Sequence, residues 1–406
     1  MYFHTLDKKD CCGCTACVSA CSRQCITMKR DEEGFLYPVI DEEQCISCGL
    51  CEKVCPMNHP VYENRTQAVY ATYVKDEQQR MKSTSGGIFY AIARWVIEHG
   101  GIVYGAAFDD DFKLRHVGVK SLDELQKLRG SKYLQSNLGN VFCEIKEHLK
   151  KYRWVYFVGV GCQVAGLYSF LRKEYKTLIT SDLVCHGVPS QLMFDWHLDY
   201  LRKKEKGEIT SYSFRDCEGW GGCETYSFVS PIRGKEGTRK LYSYYLSPYL
   251  YSFMWAYTYR YSCYNCKFAR IPRQGDITLA DFWGVTNYFP DLDCTKGVSL
   301  VLINNQRGAE IWNAIKNDLE YRPSSIADAA KDNGNLVCGT TMPEIRKSCY
   351  ALIRQKGYQW VAEHKFRASH YMLIKLKVFL LQTKFGAFLV QTKRAIKRGK
   401  KRLINN

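Results

Sequence analysis

Cysteine is the residue type whose spacing in this chain points most directly to chemistry. The sequence has 20 cysteines in 406 residues, and ten of them lie between Cys11 and Cys55. Eight of these ten form two runs of identical C-x2-C-x2-C-x3-C spacing: Cys11, Cys14, Cys17 and Cys21, then Cys45, Cys48, Cys51 and Cys55. In a reducing compartment, clustered thiols bind metals more often than they form disulfides. The runs therefore predict a metal-binding module.

The repetition of one run favours iron-sulfur clusters over zinc. In bacterial ferredoxins with this spacing, three cysteines of one run and the last cysteine of the other surround each 4Fe-4S cube. That rule assigns one cluster to Cys11, Cys14, Cys17 and Cys55, and the other to Cys45, Cys48, Cys51 and Cys21. A pair of zinc knuckles is the alternative, although zinc sites use ligands in two pairs. Ser22 replaces the usual proline after the first run, and Cys12 and Cys25 are extra thiols outside the pattern.

Four later cysteines follow predicted elements of a second domain. Cys162 and Cys185 come after two predicted strands, and Cys263 and Cys266 form a C-x2-C pair. Because neighbouring strands of an α/β sheet end at one edge, a loop carrying C-x2-C can meet them there. Spacing alone leaves three interpretations open: an iron-sulfur cluster, zinc, or unrelated buried cysteines. The other cysteines lack such neighbours and are predicted to be structural: Cys143, Cys217, Cys223, Cys294, Cys338 and Cys349.

The elements that must position these cysteines alternate between strands and helices. The pattern predicts a β-hairpin over residues 26–40 and strands at 69–74, 102–108, 154–158 and 178–184. It also predicts one helix at 88–98 and another that follows Gln163 and ends at Leu171. Such alternation argues for an α/β core. The aromatic stretch 242–261 favours one buried helix, with a wall for a ring-shaped ligand as the alternative.

Two glycine-containing turns could bind phosphate. Residues 83–87, Ser-Thr-Ser-Gly-Gly, open a helix, where hydroxyls and free amides suit a pyrophosphate, but an ordinary helix cap explains them equally well. Residues 159–166 resemble a dinucleotide fingerprint only faintly, because the third glycine is misplaced and Cys162 occupies the turn.

Several segments taken together resemble one protein family. They are residues 83–87, 130–136, 159–167, 182–190, 262–269 and 275–284. In this order they resemble the beta subunits of coenzyme F420-reducing hydrogenases and dehydrogenases, over most of residues 8 to about 310. Residues 159–167 correspond to a G-T-P-C-Q-V-A-G-L motif. Here Val160-Gly161 replaces Thr-Pro, whereas Cys162 and Gln163 are retained.

The resemblance implies an iron-sulfur flavoprotein. It implies FAD and a core cluster held by Cys162, Cys185, Cys263 and Cys266, and hence three 4Fe-4S clusters in all. Candidate FAD contacts in the matched segments are Ser83, Thr84, Ser85, Gly86, Gly87, Ser131, Lys132, Tyr133, Gln135, Ser136, Gln163 and His186. A solvated surface position is the alternative for Lys132. Since the relatives include sulfite reductases fused to a similar module and chlorophyll reductases, the resemblance implies neither a substrate nor a catalytic residue.

The predicted fold is mixed α/β (α+β) with four regions. They are a ferredoxin-like module (1–62), two parts of the beta-subunit domain (63–150, and 151–345 with the core cluster and FAD) and a helical basic region (346–406). The expected function is electron transfer between the clusters and FAD, which reduces or oxidises an organic substrate or a deazaflavin-type coenzyme. The alternative is an electron-transfer subunit without its own substrate site. A redox protein such as ferredoxin, or a catalytic subunit, is the expected partner.

Charge bears on the remaining partners. There are 58 Lys and Arg against 41 Asp and Glu, a formal charge of +17, but clusters and FAD would offset part of it, so nucleic acid is not expected. After His370 come ten cations and no acid: Lys375, Lys377, Lys384, Lys393, Arg394, Lys397, Arg398, Lys400, Lys401 and Arg402. Interleaved apolar residues predict a basic amphipathic helix on an anionic membrane surface, or else a helix packed on the core with a disordered end. Without a secretory signal or a lysine-free apolar span, we expect a cytoplasmic protein, peripheral at the inner membrane face.

Overall fold

The N-terminal cysteine runs flank a β-hairpin. The structure is a computed structural model that describes residues 2–58, 64–215, 224–231, 235–241 and 243–382. Its first module comprises α1 (Tyr2–Thr5), α2 (Ala16–Ala20), β1 (Ile26–Arg30), β2 (Leu36–Ile40) and α3 (Leu50–Lys53). The strands pair antiparallel with Ile26 opposite Ile40. Asp31 Oδ1 accepts hydrogen bonds from the Glu33 and Phe35 amides and so closes the turn. The predicted hairpin is confirmed.

Eight strands form one mixed sheet in the order β13-β3-β12-β11-β7-β6-β4-β5. They are β3 (Ala68–Val74), β4 (Ile102–Phe108), β5 (Leu114–Val119), β6 (Val155–Val160), β7 (Leu178–Leu183), β11 (Ile277–Asp281), β12 (Ser299–Ile303) and β13 (Leu319–Ser324). Strands β4, β6, β7 and β11 are parallel neighbours, so their carboxyl ends share one edge. The four strands predicted from the apolar runs are confirmed, as is the mixed α/β class.

A smaller antiparallel sheet and the helices complete the fold. That sheet contains β8 (Glu208–Ser213), β9 (Glu224–Ser230) and β10 (Lys235–Leu241). The remaining α-helices are α4 (Glu77–Met81), α5 (Ile88–Glu98), α6 (Leu122–Leu125), α7 (Val141–Lys150), α8 (Gly161–Leu171), α9 (Gln191–Glu205), α10 (Pro248–Met254), α11 (Gln306–Ile315), α12 (Ile326–Asp332), α13 (Arg346–Lys356), α14 (Tyr358–His364) and α15 (Tyr371–Gln382). In the part of the chain that the structure describes, no helix combines the length and apolarity needed to cross a bilayer. Cys217 and Cys223, predicted to be structural, lie outside the described residues.

Apolar packing covers both faces of the large sheet and anchors the N-terminal module. On β4, Val103 packs in the cluster under α5, while Tyr104 packs in the cluster under α7 and α8 on the opposite face. Ala16, Val54 and Met57 of the module are buried in that second cluster. Since full burial of a Val or Met side chain contributes about 1.5–3 kcal/mol, the module is docked on the core by hydrophobic packing.

The aromatic stretch 242–261 does not form the single helix that the sequence favoured. Among its described residues the only α-helix is α10, of seven residues, which Ser247 caps by accepting a hydrogen bond from the Leu250 amide. The helix ends because Ala256 has a φ of 56°, which an α-helix does not accommodate. Tyr249 and Tyr259 are nevertheless buried. The aromatic side chains build a core from irregular backbone, and Tyr242 lies outside the described residues.

Candidate iron-sulfur and flavin site

The four core cysteines surround one pocket at the carboxyl edge of the parallel strands. Cys162 lies in the first turn of α8, directly after β6, and Cys185 follows β7. Cys263 and Cys266 lie in and just after the short 3-10 turn Tyr261–Asn265. All four line a pocket of about 590 Å³. The structure therefore brings together the side chains that the strand order predicts at this edge, while their role as cluster ligands stays a prediction.

The two ferredoxin-like ligand sets occupy different environments. Four of the cysteines, Cys11, Cys14, Cys17 and Cys55, line a second pocket of about 390 Å³. We call this the inner site. The other set, the outer site, is Cys21, Cys45, Cys48 and Cys51, of which Cys48 is exposed. The extra thiol Cys25 lies 3.4 Å from the Cys21 sulfur and within hydrogen-bond reach of Cys45. The outer site therefore lies nearer the solvent.

Cys12, the other extra thiol, lies between the inner site and the core pocket. Its side chain is within hydrogen-bond reach of the Cys14 thiol and of the Cys162 thiol. Cys12 and Met57 line both pockets. The side chain of Cys12 therefore separates the inner site from the core pocket.

The donor set and its surroundings fit cubic clusters better than single ions. Among the described residues, no three His, Cys, Asp or Glu side chains converge closely enough to hold one metal ion. In a 4Fe-4S cube each cysteine binds a different iron, so the thiols surround a volume instead of meeting at a point. The two pockets have this form.

A buried polar group supports the same fit. At the inner site, Thr15 Oγ1 is buried without a hydrogen-bond partner among the described residues. A buried hydroxyl requires an acceptor, and sulfur of a bound cluster would supply one.

Polar side chains form an arc along the same sheet edge, beside the core pocket. Thr84 Oγ1 lies 3.1 Å from Ser131 Oγ, and Tyr133 is hydrogen-bonded to Ser131 and Arg215. Arg215 forms an ion pair with Asp281 at the end of β11. We call this set the polar arc. It offers hydroxyls and a paired cation next to the core pocket, which suits a polar cofactor.

An aromatic pair connects the end of the arc with the core pocket. The rings of Trp283 and His186 have centroids 5.2 Å apart, and His186 lines the pocket. Trp283 is 39% exposed, so an aromatic ring faces solvent close to the core cysteines.

Several predicted FAD contacts are already paired within the protein. Ser83 Oγ donates to the Gln79 carbonyl and accepts from Arg129, and the Gly86 amide donates to Ser299 Oγ. A Cβ on Gly86 would lie 2.3 Å from the Thr72 carbonyl oxygen, so this glycine permits close packing on β3. Gly87, with a φ of 88°, is the N-cap of α5. Thr84 and Ser85 are the half-buried members of the segment.

A second group of predicted contacts forms hydrogen bonds with the loops that carry the cysteines. Gln163 Oε1 accepts from the Val160 amide, while its Nε2 donates to Ser136 Oγ. Ser136 in turn contacts the buried His116, whose pKa burial lowers to about 4. Gln135 Nε2 donates to the Cys12 carbonyl. These side chains fix the cysteine-bearing loops in place.

Lys132 is half-buried, and its ammonium group forms hydrogen bonds with backbone carbonyl oxygens. Its Nζ donates to the carbonyl oxygens of Lys127 and Arg129, at 3.1 and 2.7 Å. Burial lowers its pKa to about 7. The role of Lys132 at a flavin site stays a prediction, as does the surface alternative.

Two arginines near these sites were not singled out from sequence. Arg215 completes the polar arc, and the fully buried Arg260 contacts the inner-site loop. The available signal was position: Arg260 stands three residues before Cys263 in an otherwise aromatic and polar stretch.

Comparison with known proteins finds two matching families. Residues 152–328 match the family described as the C terminus of the beta subunit of coenzyme F420 hydrogenase/dehydrogenase, and residues 10–59 match the 4Fe-4S dicluster domain. The chain carries both of these domains. The resemblance seen in the sequence motifs is confirmed.

The curated relatives match over only part of their own length. The F subunit of the F(420)H(2) dehydrogenase of Methanosarcina mazei is 25% identical over 222 residues, which are 51% of this chain and 60% of that protein. The coenzyme F420-dependent sulfite reductase of Methanocaldococcus jannaschii is 25% identical over 189 residues, 46% of this chain and 29% of that protein. A chain of the F420-reducing [NiFe] hydrogenase complex from Methanosarcina barkeri has a TM-score of 0.44 and 17% identity, covering 75% of this chain and 94% of that chain.

Proposed function

We propose that this beta-subunit homologue is an FAD-dependent iron-sulfur oxidoreductase with three 4Fe-4S clusters. The outer, inner and core cysteine sets would each hold one cluster, and the polar arc would hold FAD, with Thr84, Ser85, Ser131, Lys132 and Tyr133 as contacts. When bound, clusters carry one electron at a time and FAD converts single electrons into a hydride.

The observation that carries this proposal is the position of Cys12 between the inner and core sites. Because Cys12 reaches a ligand of the inner site and a ligand of the core site, the two sites are adjacent. The outer site lies near the surface, and the polar arc lies beyond the core pocket. The chain's own residues thus arrange outer, inner, core and arc sites in sequence, a route for electrons between the surface and an organic substrate beside Trp283.

Metal and flavin analysis of the anaerobically purified protein tests the proposal. We expect about twelve irons per chain, three cubes of four, together with one FAD. Cys263→Ser should remove about four irons and slow exchange of electrons between the remaining clusters and the flavin. Cys338→Ser, at an exposed thiol, is the matched control and should leave the iron content unchanged. Unchanged iron in Cys263→Ser, or loss of zinc in place of iron, would contradict the assignment.

The substrate and the partner require a separate assay. We propose a deazaflavin-type coenzyme or another organic hydride acceptor as substrate, and a redox protein or catalytic subunit as partner. The purified chain is therefore assayed with reduced ferredoxin and a panel of acceptors including the deazaflavin coenzyme. Turnover by the chain alone supports the enzyme; turnover only after a catalytic subunit is added supports the electron-transfer subunit.

The last described helix supports peripheral membrane contact, and we propose a cytoplasmic location. Helix α15 exposes five large apolar side chains, Met372, Leu373, Leu376, Phe379 and Leu380. Lys375 and Lys377 lie on the same helix, and the eight other cations of this region lie outside the described residues. Apolar and basic side chains on one helix suit an anionic lipid surface. We propose that α15 docks there.

A further inference from the structure

Arg260 is a fully buried arginine whose hydrogen-bond partners are all neutral. Its Nε donates to the Cys11 carbonyl at 2.7 Å, Nη1 to Gln135 Oε1 at 3.2 Å, and Nη2 to the Leu36 carbonyl at 3.0 Å. Its guanidinium also lies 4.0 Å from the centre of the Tyr37 ring. Within the described ranges, no carboxylate lies at ion-pair distance from this side chain, which is 0% exposed.

The other two fully buried arginines show what is unusual here. Arg273 pairs with Asp182 at 2.6 Å, and Arg346 pairs with Glu33 at 2.5 Å. Burying a charge without an opposite charge is strongly unfavourable. Arginine does not escape this cost by losing its proton, because its pKa is too high. A negative charge that the amino acids do not supply is therefore expected close to Arg260.

The neighbours of Arg260 identify where that negative charge lies. The ionisable groups that act most strongly on its guanidinium are the thiols of Cys11, Cys12 and Cys263, together with Tyr37. Cys11 belongs to the inner site and Cys263 to the core site. Arg260 therefore lies between two thiol sets, each of which carries net negative charge once it holds a cluster.

We propose that Arg260 is the shared counter-charge of the inner and core clusters and raises the reduction potential of both. This inference rests on the proposed function, since it requires those two clusters. Reduction adds one negative charge to a cluster, and a fixed cation in a low-dielectric site stabilises the reduced form more than the oxidised form. The outer cluster, whose thiols are not among the groups that act most strongly on Arg260, should be affected less.

Redox titrations of the whole cluster-loaded protein, followed by electron paramagnetic resonance, test this inference. Arg260→Met removes the charge, and Arg260→Lys keeps it. Gln135→Glu would place a carboxylate on Arg260 Nη1 without altering Arg260, and Gln135→Met is its matched neutral control.

In Arg260→Met and Gln135→Glu we expect the ratio of reduced to oxidised cluster, at the wild-type midpoint, to fall at least tenfold for the inner and core clusters. A tenfold change corresponds to about 59 mV for a one-electron couple. Arg260→Lys and Gln135→Met should stay within threefold of wild type.

Unchanged potentials in Arg260→Met and Gln135→Glu at full iron content would overturn the inference, as would equal shifts in Arg260→Met and Arg260→Lys. Where Arg260→Met loses iron, retention by Arg260→Lys supports a charge requirement, whereas equal loss by both shows a purely structural role. Failure of the wild-type chain to bind about twelve irons would instead refute the proposed function.

Discussion

Replacing Glu33 by alanine is expected to loosen the contact between the N-terminal module and the C-terminal helices. Glu33, in the turn between β1 and β2, accepts two hydrogen bonds from Arg346, at 2.9 and 2.5 Å. Arg346 begins α13, is 0% exposed, and lies 4.1 Å from the centre of the Tyr261 ring. The substitution leaves this guanidinium buried without its carboxylate.

The magnitude follows from that burial. Removing one partner of a buried ion pair costs about 3–5 kcal/mol, because the remaining charge stays desolvated. Each 1.4 kcal/mol is about a factor of ten in an equilibrium constant. The equilibrium for local opening of the hairpin should therefore rise by about a hundredfold to a few thousandfold.

Native-state hydrogen exchange on the anaerobic protein measures this opening without unfolding the clusters. The informative amides are those bonded within the hairpin, such as the Asp31 amide, which donates to the Phe35 carbonyl at 2.9 Å. Their exchange should accelerate in Glu33→Ala by the factor given above, up to the limit set by global unfolding. The central strand β6 should exchange as in wild type.

The neighbouring residue supplies the control. Glu32 pairs with Lys8 at 2.5 Å, but its side chain is 59% exposed, and exposed pairs contribute less than about 1 kcal/mol. Glu32→Ala should therefore change hairpin exchange less than about fivefold. The double variant Glu33→Met with Arg346→Met should regain most of the protection, since apolar replacement of a buried pair is often neutral. Equal exchange in Glu33→Ala and Glu32→Ala would refute the reasoning.

Flavin affinity should fall as pH rises above about 7, by up to tenfold per pH unit. Burial lowers the pKa of Lys132 to about 7. A nearby phosphate or anionic ring would raise this pKa in the complex, so flavin binding takes up a proton at pH values between the free and the bound pKa. Fluorescence titration of Lys132→Met should show no such pH dependence of the flavin affinity. Gly166→Ala should lose about four irons, because its Cβ would lie 2.8 Å from the Cys14 Cβ, whereas Gly334→Ala, with nothing within 4 Å, should lose none. Truncation after Ser369 should abolish sedimentation with anionic vesicles at low and physiological salt, as measured against the full chain.

Each of these expectations has a contrary outcome. A pH-independent flavin affinity of the wild-type protein would remove Lys132 from the flavin site. Full iron content in Gly166→Ala would show that α8 does not constrain the inner-site loop. Equal sedimentation of the truncated and full chains would eliminate membrane docking through α15 and the residues after it.

Local sequence patterns determined much of the fold and the identity of the candidate ligands. The cysteine spacing within each run is itself the geometry of a cluster loop, so the inner and outer ligand sets could be assigned without a structure. Strands β4 and β6 are largely apolar runs bounded by turns, which is the pattern of a strand buried on both faces. Strand β7 begins with the apolar Leu178 and Ile179 but also contains Thr180, Ser181 and Asp182. Because Cys162 and Cys185 follow two of these strands, their meeting at one edge was predictable.

The residues that match a phosphate site in the sequence also serve packing within the protein, and their role as flavin contacts stays a prediction. Ser83 and Gly86 match a cofactor loop in sequence, yet their groups are bonded to Gln79 and Ser299. A hydroxyl or amide at a helix start has the same appearance whether its partner is a phosphate or another part of the chain. The single helix predicted for the aromatic stretch is wrong for a related reason, because aromatic side chains can be buried without a helix.

Which cluster site adjoins the core was decided only by tertiary structure. Cys12 reads as a spare thiol in the sequence, and Arg260 as one basic residue among 58. Their roles come from contacts between distant segments: Arg260 Nε meets the Cys11 carbonyl across 249 positions of the chain. The spacing of ligands within one loop is determined by the local sequence. By contrast, the distance between the proposed inner and core clusters, and the charge proposed between them, depend on how the N-terminal module docks on the sheet, which apolar packing and the buried Glu33–Arg346 pair determine together.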